Sequence, residues 1–222
     1  TRWRVLRALT GDAEGVTLVR GVADTSDDPD LRAEALRALG QWAPGPHTDE
    51  ALAEALRDDP VPRVRVTAAR TMRGRPGTTE RLQSALRGDR WPSVRAAAAE
   101  ALAGRPEALA ALLAALGDGN AVTVRAVLTA LGQTPGEGVT PRLVAFVETP
   151  RRDPTLRRDA VEALGARCDV SAAPALERIA EVHSDPALPP WELEVGQAAL
   201  ASLARLDAAR ARQWVRRMGS NA

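Results

Sequence analysis

Apolar and polar positions follow helical spacing along the chain, in a unit that repeats. Residues 28–40 and 153–165 each begin with an Asp-Pro turn, continue with an amphipathic helical pattern, and close with Ala-Leu-Gly. When the copies are aligned on the closing Leu or Met, an Arg falls seven residues earlier at five places: Arg2, Arg32, Arg65, Arg95 and Arg157. Val124 and Gly196 take this position in two other copies, and successive copies are 29 to 33 residues apart, except before the weaker last copy at Gly196. Such self-similarity indicates a repeat protein.

Another apolar stripe, formed by apolar residues four positions apart, lies before the helical pattern of each unit. It predicts a first helix that precedes the one described above, which is then the second helix of the unit. The pairs are Leu52/Leu56, Leu82/Leu86, Leu109/Leu113 and Leu143/Val147. This spacing places both members on one helical face. Glycines that are predicted to end the second helix follow at Gly40, Gly74, Gly104, Gly132 and Gly165. Each unit is therefore predicted to be a helical hairpin, and because one hairpin cannot bury its own stripe, we expect an all-α, right-handed α-solenoid of stacked hairpins.

The repeat register also predicts the domain organisation. We interpret residues 1–222 as a single solenoid, in which residues 12–206 form about six repeats. Residues 1–11 match only a second helix, so further repeats or another domain are expected upstream in a longer parent protein. Residues 207–222 break the pattern and are expected to form a capping helix and tail, since terminal repeats need a polar outer face.

The repeated unit resembles a known family. A helix, the turn Asp-Pro-x-(Leu/Val)-Arg, and then Ala-x-x-Ala-Leu-Gly are similar to the HEAT repeat, in particular to the short bacterial kind also found in phycobilin-lyase-like repeats. The resemblance covers residues 1 to about 206. The resemblance implies a structural ladder, in which the repeated Arg of each unit binds acids and backbone groups of the turns. The arginines of this ladder are Arg2, Arg32, Arg65, Arg95 and Arg157, and its acids are Asp28, Asp59, Asp89, Asp118 and Asp153. A repeated polar residue beside buried Val or Leu needs such a fixed partner.

The charge balance argues against a polyanionic partner. The chain has 30 Arg and no Lys against 29 Asp and Glu, which gives a net charge of +1. Nucleic-acid binding depends on an excess of basic side chains, so nucleic acid is not expected as a partner. No run of 18 apolar residues occurs, and no membrane span is predicted.

Residues suited to catalysis or metal binding are scarce. His47 and His183 fall in different repeats and are expected to be solvated, and the chain lacks the His-Glu pairs of the di-iron hydroxylases built on HEAT-like repeats. Cys168 has no basic neighbour except Arg167, which disfavours nucleophilic catalysis. The Trp, Asp and Arg residues do not match the motif of alkylpurine DNA glycosylases made of HEAT-like repeats. We therefore predict no enzyme activity, no metal and no cofactor.

One surface position suggests a binding site. Five residues after the ladder Arg, three consecutive copies carry Arg7, Arg37 and Arg70. This position is expected to point outward from the second helices, with Trp3 and Arg4 beside it. Because Arg side chains suit carboxylates, we predict that these five residues bind an acidic segment or a sheet edge of a protein partner. The alternative is a row of side chains that only contact solvent. The Arg cluster at residues 205–217 either belongs to the cap or forms a further docking surface.

Together these patterns predict a non-catalytic protein–protein interaction scaffold, a module of a larger bacterial protein that binds its partner on the concave surface. Two alternatives stay open: a bilin-lyase-like or chaperone-like accessory protein, and a nucleic-acid-binding protein related to the alkylpurine DNA glycosylases. A cytoplasmic location is expected. A periplasmic or secreted location stays open, because the sequence begins at Thr1 without a Met.

Overall fold

The structure, a computed structural model, describes residues 13–42, 44–149 and 153–219. All regular secondary structure in these ranges is helical. None of these helices has the length and apolar character needed to cross a membrane. The chain divides into two compact units, Thr1–Leu102 and Ala103–Ala222. The assignment of both units to one solenoid stays a prediction.

The N-terminal unit consists, over its described residues, of three helical hairpins. A first helix is followed through a short turn by a second helix: α1 (Ala13–Thr25) by α2 (Pro29–Gln41), α3 (Pro46–Asp58) by α4 (Pro62–Thr71), and α5 (Thr79–Gly88) by α6 (Pro92–Leu102). The second helices α2, α4 and α6 pack side by side, as do the first helices α1, α3 and α5. Each second helix begins with a proline. The fixed φ of proline suits a helix, and its missing N–H costs no hydrogen bond, because the first N–H groups of a helix have no partner within the helix.

The core of this unit is made of small and branched aliphatic side chains. The residues that the repeat register places inward are all buried: Leu39, Leu52, Leu56, Met72, Leu82, Leu86 and Leu102. Alanines fill the second-helix contacts, and residues 96–99 of α6 are four consecutive buried alanines. Such small side chains allow neighbouring helices to approach closely.

The C-terminal unit contains, in its described part, three further hairpins and one additional helix. The helices are α7 (Leu109–Ala115, after a 3₁₀ turn at Pro106–Ala108), α8 (Ala121–Gln133), α9 (Val139–Glu148), α10 (Pro154–Ala166), α11 (Ala173–Val182), α12 (Pro190–Leu206) and α13 (Ala208–Gly219). Second helices α8, α10 and α12 pack side by side, and α13 packs against α12. The predicted all-α fold of stacked helical hairpins is thus confirmed in each unit.

The predicted inward pair of α7 is wrong by one position. Leu109 and Leu113 are only partly buried, whereas Ala108 and Leu112 are fully buried. The helix begins with the 3₁₀ turn Pro106–Ala108, which has about three residues per turn instead of 3.6. This tighter turn rotates the inward face relative to the one expected for a regular α-helix.

The glycines near the ends of the second helices have two different roles. Gly74 and Gly104 lie just beyond helix ends with φ of +74° and +80°, as expected for helix stops. The prediction of a stop is wrong for three others, which lie inside their helices: Gly40, Gly132 and Gly165. A Cβ on Gly40 would lie 2.0 Å from Cγ2 of Thr71 on α4. These glycines therefore permit close packing between successive second helices.

Candidate functional site

Two of the predicted ladder residues, Arg32 and Asp59, form a pair between successive turns of the N-terminal unit. Arg32 donates two hydrogen bonds to the Asp59 carboxylate, Nε to Oδ2 at 2.7 Å and Nη2 to Oδ1 at 3.0 Å. Its Nη1 donates to the carbonyl oxygen of Ser26 at 2.8 Å. Both side chains of the pair are buried, at 10% and 6% exposure. The pair therefore joins the turn of one hairpin to the turn of the next.

Arg65 and Asp89 repeat this geometry one hairpin later. Arg65 donates from Nε and Nη2 to the Asp89 carboxylate at 2.7 and 3.0 Å, and from Nη1 to the carbonyl oxygen of Asp59 at 2.7 Å. Burial alone would raise the pKa of Asp89, but the bonds from Arg65 and from the Trp91 N–H outweigh it, so the pKa of Asp89 is lowered. The pair is therefore ionic at neutral pH.

Two of the predicted turn acids cap helices and do not pair with a ladder Arg in the structure. Asp28 accepts the backbone N–H of Asp30 at 2.8 Å at the start of α2. Asp153 accepts the backbone N–H of Thr155 at 2.8 Å at the start of α10. Each carboxylate thereby satisfies a helix-terminal N–H that has no partner within the helix.

Two other predicted ladder residues, Arg95 and Asp118, form hydrogen bonds with the backbone of nearby turns. Arg95 donates from Nη1 to the carbonyl oxygen of Asp89 at 2.8 Å, as the two earlier ladder arginines do to the turns before their helices. Asp118 accepts the N–H of Asn120 at 2.8 Å. Arg2 lies outside the described residues.

The ladder arginine of the C-terminal unit, Arg157, has other partners. Its Nη1 donates to both carboxylate oxygens of Glu192 at 2.9 Å each, and its Nε donates to the carbonyl oxygen of Val147 at 2.9 Å. Its Nη2 lies 2.9 Å from Nε2 of His183. Because arginine has no acceptor, this Nε2 must accept, which places the imidazole proton on Nδ1, 2.9 Å from Oε2 of Glu192.

His183 is buried, at 9% exposure, although the sequence led us to expect a solvated side chain. Burial lowers the pKa of His183, and the Arg157 charge lowers it further, against the opposing effect of Glu192. The residue does follow the end of α11, as its position in the sequence suggested. Arg157 of α10, 26 residues earlier in the chain, and Glu192 of α12 lie against the imidazole.

The residues predicted to bind a partner are described only in part. Arg37 and Arg70 are exposed on α2 and α4, at 53% and 62% of their side chains. Arg37 donates to the buried carboxylate of Glu34 at 2.6 Å, and Arg70 donates to Glu100 at 3.2 Å. The surface around Arg37 and Arg70 therefore contains acids as well as arginines. The other three candidates lie outside the described residues: Trp3, Arg4 and Arg7.

Two grooves follow the turn edge of the N-terminal unit, between successive first helices. We call the groove between α1 and α3, of about 490 Å³, the acidic groove. We call the groove between α3 and α5, of about 670 Å³, the basic groove. Five acids and one arginine line the acidic groove, whereas four arginines and three acids line the basic groove.

Exposed arginines form the rim of the basic groove. Arg57 pairs with Asp58 at 2.7 Å, while Arg81 and Arg90 form no ion pair with any acid in the described part of the chain. The Arg90 guanidinium lies 5.6 Å from the centre of the exposed Trp91 ring, within the range of a cation–π contact. The sequence analysis missed this site. The signal in the sequence was Arg90 at the position where the preceding repeat has Pro60.

The C-terminal helix α13 buries one face and exposes another. Ala211 and Trp214 are buried, and Arg210 and Arg217 bind the carboxylate of Glu177 on α11. The bonds from Arg210 lower the pKa of Glu177 despite its burial. The helix thus covers the end of the unit, and the docking role predicted as an alternative stays a prediction.

Residues capable of metal binding are not clustered in the described ranges. No group of three or more His, Cys, Asp and Glu side chains there is arranged to hold a metal ion. Cys168 is exposed as a free thiol, with φ of +54°.

The sequence was compared with known proteins. The family model of HEAT repeats matches residues 1–73 and 79–153. No curated protein matches the sequence. Among solved structures, that of human deoxyhypusine hydroxylase in complex with glycerol is similar, with 24% identity, a TM-score of 0.48, and coverage of 93% of this chain and 78% of that chain.

This likeness corrects the prediction of a non-catalytic interaction scaffold that is not an enzyme. That protein is named as a hydroxylase, and a fold does not by itself define or exclude an activity. The bilin-lyase-like, chaperone-like and nucleic-acid-binding alternatives fit the comparison no better. At this identity and TM-score the likeness concerns the fold, and no activity is transferred to this chain.

Proposed function

The chain belongs to the HEAT-repeat family, and we propose that its N-terminal unit binds a protein segment with acidic side chains along the second helices α2 and α4. One observation carries the proposal. Arg37 and Arg70 occupy equivalent positions on consecutive second helices, and more than half of each side chain is exposed. Binding of a protein segment is compatible with a catalytic or a non-catalytic protein.

The ion pairs of these arginines leave them able to bind a partner. Each guanidinium has five N–H donors, and the hydrogen bond to its glutamate uses one of them. Exposed pairs such as Arg70 with Glu100 contribute only about 0–1 kcal/mol. A carboxylate of a partner can therefore replace Glu100 as the acceptor of Arg70 at little cost in free energy. Arg37 has the additional task of neutralising Glu34, whose side chain is 6% exposed.

The proposed surface continues in sequence register toward the N-terminus. Trp3, Arg4 and Arg7 hold the corresponding positions one repeat earlier. Aromatic and arginine side chains are the residue types that most often dominate binding energy at protein interfaces. We therefore include these three residues in the proposed surface.

Selection from an unbiased peptide library tests the proposal. Peptides are selected on the immobilised 222-residue chain, and the affinities of the enriched sequences are measured by fluorescence anisotropy. We expect enrichment of Asp and Glu, and an affinity loss of at least about tenfold in the double variant R37Q/R70Q, because one charge-assisted hydrogen bond contributes ~1.5 kcal/mol or more. Glutamine is used because a glutamate at position 37 would face buried Glu34.

A matched variant serves as the control. Arg73 and Arg87 are exposed and lie outside α2 and the outward face of α4, so R73Q/R87Q changes the net charge equally without touching the proposed surface. Its affinity should stay within about twofold of the wild type. Equal losses in both variants would show that the peptides respond only to net charge and would refute the proposal.

A further inference from the structure

The two turn-edge grooves are the same feature of the repeat, one hairpin apart. Ala55 in the acidic groove corresponds to Ala85 in the basic groove, and Asp59 corresponds to Asp89, each 30 residues later. The Asp58–Pro60 turn borders both grooves. A ligand that lies along the turn edge therefore meets both grooves in succession.

Substitutions at corresponding positions give the two grooves opposite charge. Glu54 of the acidic groove is replaced by Ser84 in the basic groove, and Pro60 is replaced by Arg90. The acidic groove additionally carries Asp24 and Asp27. Arg20 pairs with the carboxylates of Asp24 and Glu54, but the five acids that line the groove still outnumber Arg20 and Arg32.

The basic groove combines charge with an apolar floor. Ala53, Leu56 and Ala85 line it. Its rim includes Arg81, which donates to the carbonyl oxygen of Gly77 at 3.3 Å, and Arg90, and neither forms an ion pair within the described ranges. An Arg guanidinium favours planar anions such as carboxylates, which it can bind through two parallel hydrogen bonds. A groove of about 670 Å³ also lies within the range of sizes of sites that bury a whole ligand.

We propose that an extended protein segment binds along this edge, with an acidic side chain in the basic groove and a basic side chain in the acidic groove. Packed helices lie roughly 8–10 Å apart, and a segment in the extended polyproline II conformation rises about 3.1 Å per residue with three residues per turn, so that side chains three positions apart lie on the same face. The two charged side chains are thus about three residues apart. The paired grooves favour a segment over a small anion, which would use the basic groove alone. This site is separate from the second-helix surface proposed above.

Labelled peptides of defined charge spacing test this site on the full chain. Ten-residue peptides of Gly, Ser and Thr carry one Glu and one Lys, one to six positions apart and in both orders, and binding is followed by fluorescence anisotropy at low salt. We expect the tightest binding at a spacing of about three in one of the two orders. The variant R81Q/R90Q should weaken this binding by at least about tenfold.

Two further variants make the result specific. R73Q/R87Q and R37Q/R70Q should each stay within about twofold of the wild type, the second because it affects only the other surface. Replacing both acids in Asp24→Arg/Asp27→Arg should shift the preference from a Glu–Lys peptide to a Glu–Glu peptide. That change of specificity would not arise from damage to the fold.

Three results would overturn the proposal. They are equal binding at all spacings, a loss in R81Q/R90Q no larger than in R73Q/R87Q, and an unchanged peptide preference after the acids are replaced. Sodium phosphate is titrated in place of the peptides. Displacement of the best peptide by phosphate at equal concentration would identify a small-anion site instead.

Discussion

Replacing Asp89 by Asn tests whether a buried ion pair joins consecutive hairpins of the N-terminal unit. The variant keeps the shape of the side chain and an oxygen that can accept the Trp91 N–H, which Asp89 accepts at 2.8 Å. It removes the charge that faces Arg65, whose side chain is 8% exposed. The guanidinium then remains buried without an ionic partner.

The expected loss of stability is large. Two hydrogen bonds, at 2.7 and 3.0 Å, lose their ionic acceptor, and bonds to charged groups contribute ~1.5–3 kcal/mol each. Removing one partner of a buried pair typically costs about 3–5 kcal/mol, because the other charge is left uncompensated. We expect a loss near 3 kcal/mol, since the asparagine oxygen still accepts one of the bonds.

Urea unfolding followed by circular dichroism measures the loss, and amide hydrogen exchange localises it to α4, α5 and α6. The control is Glu100→Gln, which removes the exposed partner of Arg70 and should cost less than about 1 kcal/mol. Adding Arg65→Met to Asp89→Asn should restore part of the stability, because the unpaired charge is gone. A loss below about 1 kcal/mol for Asp89→Asn would refute the reasoning.

The same pair has a defined pH dependence. The pKa of Asp89 is lower in the folded protein than its ordinary value. Its contribution is therefore fully present above the unfolded pKa of about 3.9 and is lost as the pH falls through the lowered folded pKa. The difference between wild type and Asp89→Asn should shrink only in that acidic range.

Two further predictions concern the C-terminal unit. Burial lowers the pKa of His183, so the wild type should lose stability relative to His183→Gln as the pH falls below about 6.5. Urea unfolding of both proteins at pH 7 and 5.5 measures this. An equal change in the free energy of unfolding of the two proteins would contradict it. A Cβ on Gly196 would lie 2.4 Å from the backbone oxygen of His183, so Gly196→Ala should cost about 1–3 kcal/mol in the same assay. The control Gly21→Ala meets no atom within 4 Å, and it should be neutral or stabilising by up to about 1 kcal/mol.

The repeat register was the most informative feature of the sequence. It identified the inward residues of the second helices because a buried position must recur with the period of the repeat, as Leu39, Met72 and Leu102 do. It could not assign partners among the turn acids. Asp28 and Asp59 both directly precede a proline, yet Asp28 caps its own helix, whereas Asp59 binds an Arg 27 residues earlier in the chain.

Contacts between distant segments account for what the register did not predict. Gly40 and Gly74 have similar sequence surroundings at the end of a second helix, but only Gly74 adopts a positive φ. Gly40 continues its helix, and Thr71 of the next repeat fills the space beside it. His183 is likewise buried by Arg157 and Glu192, which lie on two other helices.

The basic groove shows that departures from the period can mark candidate binding residues, in addition to exposed residues that recur, such as Arg37 and Arg70. A buried residue that recurs in most copies, such as the ladder Arg, meets the same packing demand each time and is explained by that demand. Arg90 replaces Pro60 of the previous copy at a position that packing leaves free. In the described ranges Arg90 forms no ion pair, and its guanidinium lies 5.6 Å from the centre of the Trp91 ring. A substitution of this kind is therefore evidence for a ligand, and the R81Q/R90Q variant tests that argument directly.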